Sequence, residues 1–269
     1  MRIDVALVER GLARSRNHAA TMVDAERILI NGRPARKASQ TVLEDAEIQV
    51  LEAVDYVSRA GHKLARALDV FVDIDLQGIT ALDVGASTGG FTDVLLRRGV
   101  SKVFAIDVGH DQIVPELREN KHVVSIEGFN ARELSPETLS ERSGEQVQAD
   151  TIDLIVGDLS FISLTLVMEQ MLSVGKNAEF VLLVKPQFEV GKQSLSAHGL
   201  VTDHRLRSFA IKQVVDEAYR LGLGIRGLER SDLPGTHGNV EYLLWISPKE
   251  PVNQSKWSDR IDSIAREAR

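Results

Sequence analysis

LDVGASTGGFTDVLL, residues 82–96, joins an apolar run to a helix-forming run through a glycine-rich turn. Doubly wound α/β proteins bind nucleotides at such a turn, between a buried strand and a helix. The turn departs from the GxGxxG pattern because Ser87 replaces the second glycine and Asp83 ends the apolar run. A carboxylate there would repel a pyrophosphate. The stretch therefore disfavours a nucleotide-dependent oxidoreductase and favours a cationic ligand.

Outward from this turn, apolar runs alternate with helical stretches. We expect strands at 79–84, 102–107, 122–126, 152–157 and 179–184, and two last strands near 223–229 and 240–246 that form an antiparallel hairpin at the sheet edge. We expect helices around 62–72, 89–98, 111–119, 163–172 and 203–221. Continuous apolar runs are typical of parallel strands buried on both faces. The pattern predicts an α/β fold with a Rossmann-like, seven-stranded, mainly parallel sheet.

Residues 1–60 predict a separate small α+β domain. Asp4 is expected to cap a first helix with Leu7 and Leu12 on its apolar side, and Ser15 to cap a second. Asn31-Gly32 is a strong hairpin signal after a short strand at 28–30, and 47–51 is expected to return as another strand.

The charge of this first domain is unevenly distributed. Residues 1–60 hold nine Lys or Arg and nine Asp or Glu, so the net charge of −7 lies in the remainder. Between residues 10 and 37, only Asp24 and Glu26 oppose a cluster of cations: Arg10, Arg14, Arg16, Arg27, Arg33, Arg36 and Lys37. Such a cluster is either a solvated face or a surface that contacts phosphates.

Composition excludes several classes of protein. The 269 residues are 43% hydrophobic and 26% charged, as in ordinary globular proteins. There is no cysteine, which removes disulfide frameworks, Cys-ligated zinc and thiol nucleophiles. The seven histidines show no metal-ligand spacing, so no metal is expected. Without a signal segment or spanning run, we expect a cytoplasmic protein with no membrane association.

Acidic residues end the first two strands of the α/β domain. Asp83 ends the first, and Asp107 ends the second, where a carboxylate can accept hydrogen bonds from a ribose diol. A carboxylate near the turn suits the cationic sulfonium and amino groups of S-adenosylmethionine. This pair predicts an S-adenosylmethionine site, against the alternative of an ordinary glycine-rich βα turn.

Charged residues also lie near the crevice ends of later elements. Asp158 and Lys185 follow two buried strands, Lys63 lies near the start of the first helix, and Glu241 lies early in the last strand. A lysine at the end of a buried strand is costly unless it is paired or functional. From spacing alone, a catalytic group and a structural ion-pair network both remain open.

The chain resembles the TlyA family, in which an S4-like RNA-binding module is fused to an FtsJ-type ribose 2′-O-methyltransferase. The resemblance extends from residue 1 to about 247. It is carried by the S4-like run 2–37 and by SRAGHKL (58–64), LDVGASTGGFTDVLL (82–96), DLSFISL (158–164), VKPQFEVG (184–191) and GNVEYLLW (238–245).

The resemblance implies a class I methyltransferase with defined site residues. The Lys-Asp-Lys-Glu catalytic tetrad falls on Lys63, Asp158, Lys185 and Glu241, with Lys185 expected at the ribose hydroxyl as base or electrostatic anchor. S-adenosyl-L-methionine is the implied cofactor. Its expected contacts are Asp83, Gly85, Ser87, Thr88, Gly89, Gly90 and Asp107, with Asn130 at the adenine.

The resemblance also implies a substrate and a domain plan. The expected substrate is a cytidine 2′-hydroxyl in 16S or 23S rRNA, within the 30S or 50S subunit, and the basic cluster would contact RNA phosphates. We expect the S4-like domain over 1–60, including a short linker at its end, the methyltransferase domain over 61–250 and a polar tail over 251–269. Two alternatives stay open: a non-catalytic ribosome-binding or assembly factor, and a haemolysin-like membrane-active protein.

Overall fold

A computed structural model of the chain describes residues 1–13, 15–24, 27–43, 45–50, 56–235 and 238–267. The chain divides into two compact units, Met1–Asp55 and Tyr56–Arg269. In the part of the chain that is described, no helix combines the length and apolar character needed to cross a membrane.

The first unit packs two helices against a three-stranded antiparallel sheet of order β2-β1-β3. Asn31 and Gly32 both have positive φ and form the expected hairpin turn between β1 and β2. The core contains Ile3, Leu7 and Ile28. The elements of this unit are α1 (Ile3–Glu9), α2 (Arg16–Asp24), β1 (Ile28–Ile30), β2 (Arg33–Pro34) and β3 (Ile48–Val50).

Two expectations for α1 are wrong. Arg2, not Asp4, is the N-cap residue; Asp4 lies buried in the first turn, and hydrogen bonds from Arg2 and then Arg16 lower its pKa to about 2. Leu12 lies beyond the helix and is exposed, while Ala13 is buried in its stead. The expected Ser15 cap of α2 is present, since Ser15 Oγ accepts a hydrogen bond from the His18 amide at 3.1 Å.

The second unit is built on a seven-stranded sheet of order β6-β5-β4-β7-β8-β10-β9. The first five strands are parallel, and β10 is antiparallel to both β8 and the edge strand β9. The strands are β4 (Thr80–Val84), β5 (Lys102–Asp107), β6 (Val123–Glu127), β7 (Leu154–Gly157), β8 (Glu179–Val184), β9 (Gly224–Arg230) and β10 (Tyr242–Ser247). The α/β class and the mainly parallel seven-stranded sheet are confirmed.

Helices cover both faces of this sheet. Alternate residues of β8 show the division: Val181 and Leu183 pack with α3 and α4, whereas Leu182 and Val184 pack on the opposite face with α7 and α9. The helices are α3 (Arg59–Val70), α4 (Gly90–Arg97), α5 (Pro115–Arg118), α6 (Pro136–Ser143), α7 (Met168–Val174), α8 (Pro186–Glu189), α9 (His204–Arg220) and α10 (Gln254–Arg266).

The helix expected at 111–119 is shortened to α5. The Glu127 carboxylate accepts hydrogen bonds from the amides of Asp111, Gln112 and Ile113, which holds these residues in a loop. Asp111 also has a φ of +54°, outside the helical region. At the other end of the chain, the polar segment after residue 250 forms α10, which buries Ile261 and Ile264.

Candidate active site

The carboxyl ends of β4, β5, β7 and β8 meet at one edge of the sheet, where open α/β sheets bind their ligands. Strand β10 runs in the opposite direction and therefore begins at this edge. Because Tyr242 pairs with Val184, Glu241 and Lys185 occupy neighbouring positions. The topology thus brings Asp83, Asp107, Asp158, Lys185 and Glu241 to the same end of the sheet.

The turn after β4 requires glycine at two positions. Gly85 has a φ of +84°, and a Cβ there would lie 3.1 Å from Leu159 Cδ2 and 3.3 Å from the Asp158 carbonyl oxygen. Gly89 has a φ of +97°, and a Cβ there would collide with the Leu117 side chain. Ser87 adopts a positive φ of +49° without being glycine. The turn is therefore tightly packed and conformationally specified.

Asp83 is completely buried at the end of β4. Its Oδ2 accepts a hydrogen bond from Thr92 Oγ1 at 2.7 Å, while Oδ1 has no hydrogen-bond partner among the described residues. Burial raises the pKa of Asp83 to about 7; the Thr92 hydrogen bond opposes this shift, and the negative charges of Asp158 and Asp107 add to it. An orphaned, buried carboxylate oxygen of this kind suits a cationic ligand.

Asp107 is held by the backbone of two loops. Its Oδ2 accepts from the Ser87 amide at 2.8 Å, and its Oδ1 accepts from the Gly109 amide at 2.7 Å. Each carboxylate oxygen retains acceptor capacity, as binding of a ribose diol requires. Gln112 lies beside this carboxylate, because Ser87 Oγ donates to Gln112 Oε1 at 3.0 Å.

The remaining expected cofactor residues differ in placement. Thr88 lies within the turn, where its carbonyl accepts from the Val114 amide at 3.3 Å, and Gly90 begins α4. Asn130 is exposed in the loop after β6 and caps a short 3-10 turn by accepting from the Arg132 amide at 3.1 Å. Its observed contact is thus that of a turn residue.

Lys185 ends β8 with its amino group surrounded by oxygen atoms. Nζ lies 2.7 Å from Asp158 Oδ1 and donates a hydrogen bond to Ser160 Oγ at 2.9 Å. Both side chains of the ion pair are largely buried, with 10% and 15% exposed. The cation is therefore fixed in position next to the turn that contains Gly85.

Lys63 and Glu241 form a second buried ion pair. Lys63 Nζ on α3 lies 2.6 Å from Glu241 Oε2, just before β10. The four charged residues thus form two pairs, Lys63 with Glu241 and Lys185 with Asp158. Within the described ranges, no group of three or more His, Asp or Glu side chains is arranged to hold a metal ion.

Three residues of this region escaped sequence reasoning. Thr92 is the partner of Asp83, and Ser160 is a partner of Lys185. Phe161 is 92% exposed with a φ of +67°, and its ring centroid lies 5.2 Å from that of Phe188. Ser160 and Phe161 lie within DLSFISL, so the motif marked their neighbourhood but not their roles.

The structure sorts the basic cluster of the first unit by its contacts. Arg16 is ion-paired with Asp4 at 2.9 Å, and Arg10 donates to the Ala46 carbonyl at 2.7 Å. Arg27 is half-buried, and Arg14 lies outside the described residues. The exposed members in and next to β2 are Arg33, Arg36 and Lys37.

Comparison with known proteins gives concordant results. Residues 56–247 match the FtsJ-like methyltransferase family, and residues 1–48 match the S4 domain. The chain is 44% identical over 248 residues to the 16S/23S rRNA (cytidine-2′-O)-methyltransferase TlyA of Mycobacterium tuberculosis, covering 91% of this chain and 89% of that protein. It is 36% identical to Hemolysin A of Brachyspira hyodysenteriae, covering 90% and 98%.

A solved structure extends this similarity to the fold. A protein from Streptococcus thermophilus, described as a hemolysin, superposes with a TM-score of 0.71 at 32% identity, covering 98% of this chain and 94% of that one.

Proposed function

The chain belongs to the FtsJ-like methyltransferase family and carries an N-terminal S4 domain, and from that premise we propose that it methylates the 2′-hydroxyl of a cytidine in ribosomal RNA. The observation that carries the proposal is the buried Lys185 amino group, held by Asp158 and Ser160 at the carboxyl edge of the sheet. The names of the relatives supply the cytidine and the rRNA. This function places the protein with ribosomal subunits in the cytoplasm.

The residues around the β4 turn fit S-adenosylmethionine. When bound, this cofactor supplies a methyl group on a positively charged sulfur. The orphaned Asp83 Oδ1 offers a buried negative partner for a cation, and Asp107 offers acceptors for the ribose diol. Gly85, Ser87, Thr88, Gly89 and Gly90 would line the methionine and ribose side, and Asn130 would approach the adenine from its loop.

Lys185 would act on the attacking oxygen. A ribose hydroxyl is a weak nucleophile, and an ammonium at hydrogen-bond distance stabilises the negative charge that grows on it. Asp158 Oδ1 lies 2.7 Å from Lys185 Nζ, and a carboxylate oxygen can accept a second hydrogen bond. It is therefore the acceptor that we assign to the hydroxyl hydrogen.

The Lys63–Glu241 pair would keep this arrangement rigid. Glu241 stands next to Lys185 in the register of β8 and β10, and its carboxylate is fixed by Lys63 at 2.6 Å. Displacement at a methyl group requires oxygen, carbon and sulfur nearly in line, so misplacement of the hydroxyl strongly lowers the rate.

Recognition of RNA would involve both units. Arg33, Arg36 and Lys37 are available for phosphate contacts, which position a protein on nucleic acid without reading its sequence. Phe161 directly follows Ser160, a partner of Lys185, and is 92% exposed; a nucleobase can stack on such a ring.

The test is transfer of labelled methyl groups to 30S and 50S subunits that lack the modification. Lys185→Ala is compared with Lys176→Ala, which removes an exposed lysine near the opposite end of β8. Incorporation by the wild type and Lys176→Ala, but not by Lys185→Ala, supports the proposal and identifies the subunit. Binding to subunits without transfer by any protein would favour a non-catalytic assembly factor.

A further inference from the structure

Residues 158–164, which we call the strap, connect β7 to the turn that precedes α7. The short segment 185–189 contacts both ends of the strap. Lys185 contacts Asp158 and Ser160 at one end, and Glu189 contacts Ser163 and Leu164 at the other. The two clamping residues are separated by a single turn, α8.

Glu189 is half-buried and uses both carboxylate oxygens. Ser163 Oγ donates to Oε2 at 2.5 Å, and the Leu164 amide donates to Oε1 at 3.0 Å. Burial raises the pKa of Glu189, while these two hydrogen bonds act in the opposite direction. Ser163 Oγ in turn accepts from the Thr165 amide at 3.2 Å and begins a 3-10 turn. Glu189 thereby holds the last two residues of the strap, Ser163 and Leu164.

Between its contacts with Lys185 and with Glu189, the strap adopts an unfavourable backbone conformation. Phe161 has a φ of +67°, in the left-handed region that an aromatic residue rarely adopts. The residue is 92% exposed and so gains little from burial. It lies against Phe188 of α8, between the two clamping residues in sequence. Strain of this kind persists only where surrounding contacts impose it, and it concentrates at functional sites.

We propose that Glu189 is a positioning residue for methyl transfer: by anchoring the far end of the strap, it fixes Asp158 and Ser160 around Lys185 and holds Phe161 at the rim. This inference rests on the proposed function and extends it to a residue that would not touch either substrate. Glu189 acts through Ser163 and Leu164, whereas Lys185 acts directly. The cofactor turn packs on Asp158 and Leu159 at the near end of the strap, but its own hydrogen bonds run to Asp107 and to the β5 backbone, so we expect it to persist when the far end is loosened.

The test compares Glu189→Leu with Glu189→Gln. Leucine removes both hydrogen bonds. Glutamine keeps an acceptor for the Leu164 amide and a polar group for Ser163. Glu141→Leu, which replaces an exposed carboxylate on α6, is the matched control. The measurements are kcat and KM with ribosomal subunits, S-adenosylhomocysteine affinity by calorimetry, and hydrogen exchange of peptides covering the strap.

Glu189→Leu is expected to lower kcat about tenfold to a hundredfold. Its S-adenosylhomocysteine affinity should stay close to wild type, exchange should accelerate in the strap but not in residues 83–90, and glutamine should restore most of kcat. Unchanged strap exchange, or equal losses of kcat and cofactor affinity, would overturn the proposal. Because exchange needs no substrate, this result is independent of the methylation assay; absence of transfer by the wild type would instead contradict the proposed function.

Discussion

Lys63 Nζ lies 2.6 Å from Glu241 Oε2 and joins α3 to the start of β10 across 178 residues of sequence. Only 10% of the lysine side chain and 2% of the glutamate side chain are exposed. Removing one partner of such a pair leaves a buried, uncompensated charge, whereas removing both leaves none. The pair therefore allows its effects on stability and on activity to be separated.

We expect Glu241→Leu alone to lower the free energy of unfolding by about 3 kcal/mol. The double variant Lys63→Met/Glu241→Leu should recover most of that stability in denaturant unfolding and remain inactive in methyl transfer. Recovery of activity together with stability would show that the pair only supports the fold.

The carboxylate of Asp83 makes cofactor binding dependent on pH. In the free protein its pKa is about 7, because burial disfavours the charged form, and a bound cation favours that form. Protonated Asp83 must therefore lose its proton when S-adenosylmethionine binds. Affinity should rise about tenfold between pH 6 and pH 8, with proton release detectable by calorimetry in two buffers. Asp83→Asn should bind weakly and without this pH dependence, and a flat wild-type profile would contradict the assignment.

The raised pKa of Asp83 also makes the stability of the free protein depend on pH. The folded-state pKa of Asp83 lies above its unfolded value. The stability that this carboxyl group contributes is therefore fully present below about pH 4 and is lost as the pH rises through about 7. Asp83→Asn removes this ionisation. We expect it to be stabilised relative to wild type more at pH 8 than at pH 5 in urea unfolding. An equal difference at both values would show that the carboxyl titrates normally.

Exposed cations in and next to β2 are predicted to contact RNA phosphates. Replacing Arg33, Arg36 and Lys37 with alanine should weaken subunit binding and reduce its salt dependence, because each lost phosphate contact lowers the number of released counterions. S-adenosylhomocysteine affinity should not change. Arg16→Ala is expected to act mainly on stability, since Arg16 is ion-paired with Asp4.

The control for this experiment removes three exposed cations from the second unit, Lys121, Arg132 and Lys176. If this variant weakens subunit binding as much as the β2 variant, net charge and not the S4 surface determines binding.

Phe161 is predicted to contribute to RNA binding and little to the stability of the fold. In Phe161→Gly, relief of the positive φ offsets the greater entropy of unfolded glycine, so the free energy of unfolding should change by less than about 1 kcal/mol. The rate of methyl transfer should fall about tenfold, because stacking on one base contributes about 1–3 kcal/mol. Phe161→Tyr should remain active. Full activity of the glycine variant in single-turnover assays would remove the ring from RNA recognition.

The sequence pattern correctly predicted those parts of the fold that are determined by residues close together in the chain. The strand, turn and helix around Gly85 follow from apolar runs and glycine, and the hairpin turn follows from Asn31-Gly32. Where contacts between distant residues determine the local conformation, the prediction from the sequence pattern was wrong. Asp4 is a residue type that often caps helices, but its carboxylate accepts hydrogen bonds from Arg2 and Arg16. Glu127 holds residues 111–113 out of the expected helix.

In the candidate site, too, contacts between distant residues could not be predicted from the sequence. The resemblance pointed to Lys63, Asp158, Lys185 and Glu241, but spacing does not reveal which lysine pairs with which carboxylate. The pairing depends on how α3, β7, β8 and β10 meet at this edge of the sheet, which is a long-range property. Ser160, Phe161 and Glu189 have ordinary residue types, and only the folded strap shows their contacts.

The position of the transferred methyl group tests the central claim most directly. Ribosomal subunits treated with the protein and labelled S-adenosylmethionine are digested to nucleosides and separated by liquid chromatography with mass spectrometry. We predict label in 2′-O-methylcytidine, with its 3′ phosphodiester bond resistant to alkali before digestion. Label in a base-methylated nucleoside, or no label in RNA, would contradict the assignment of Lys185 to a ribose hydroxyl.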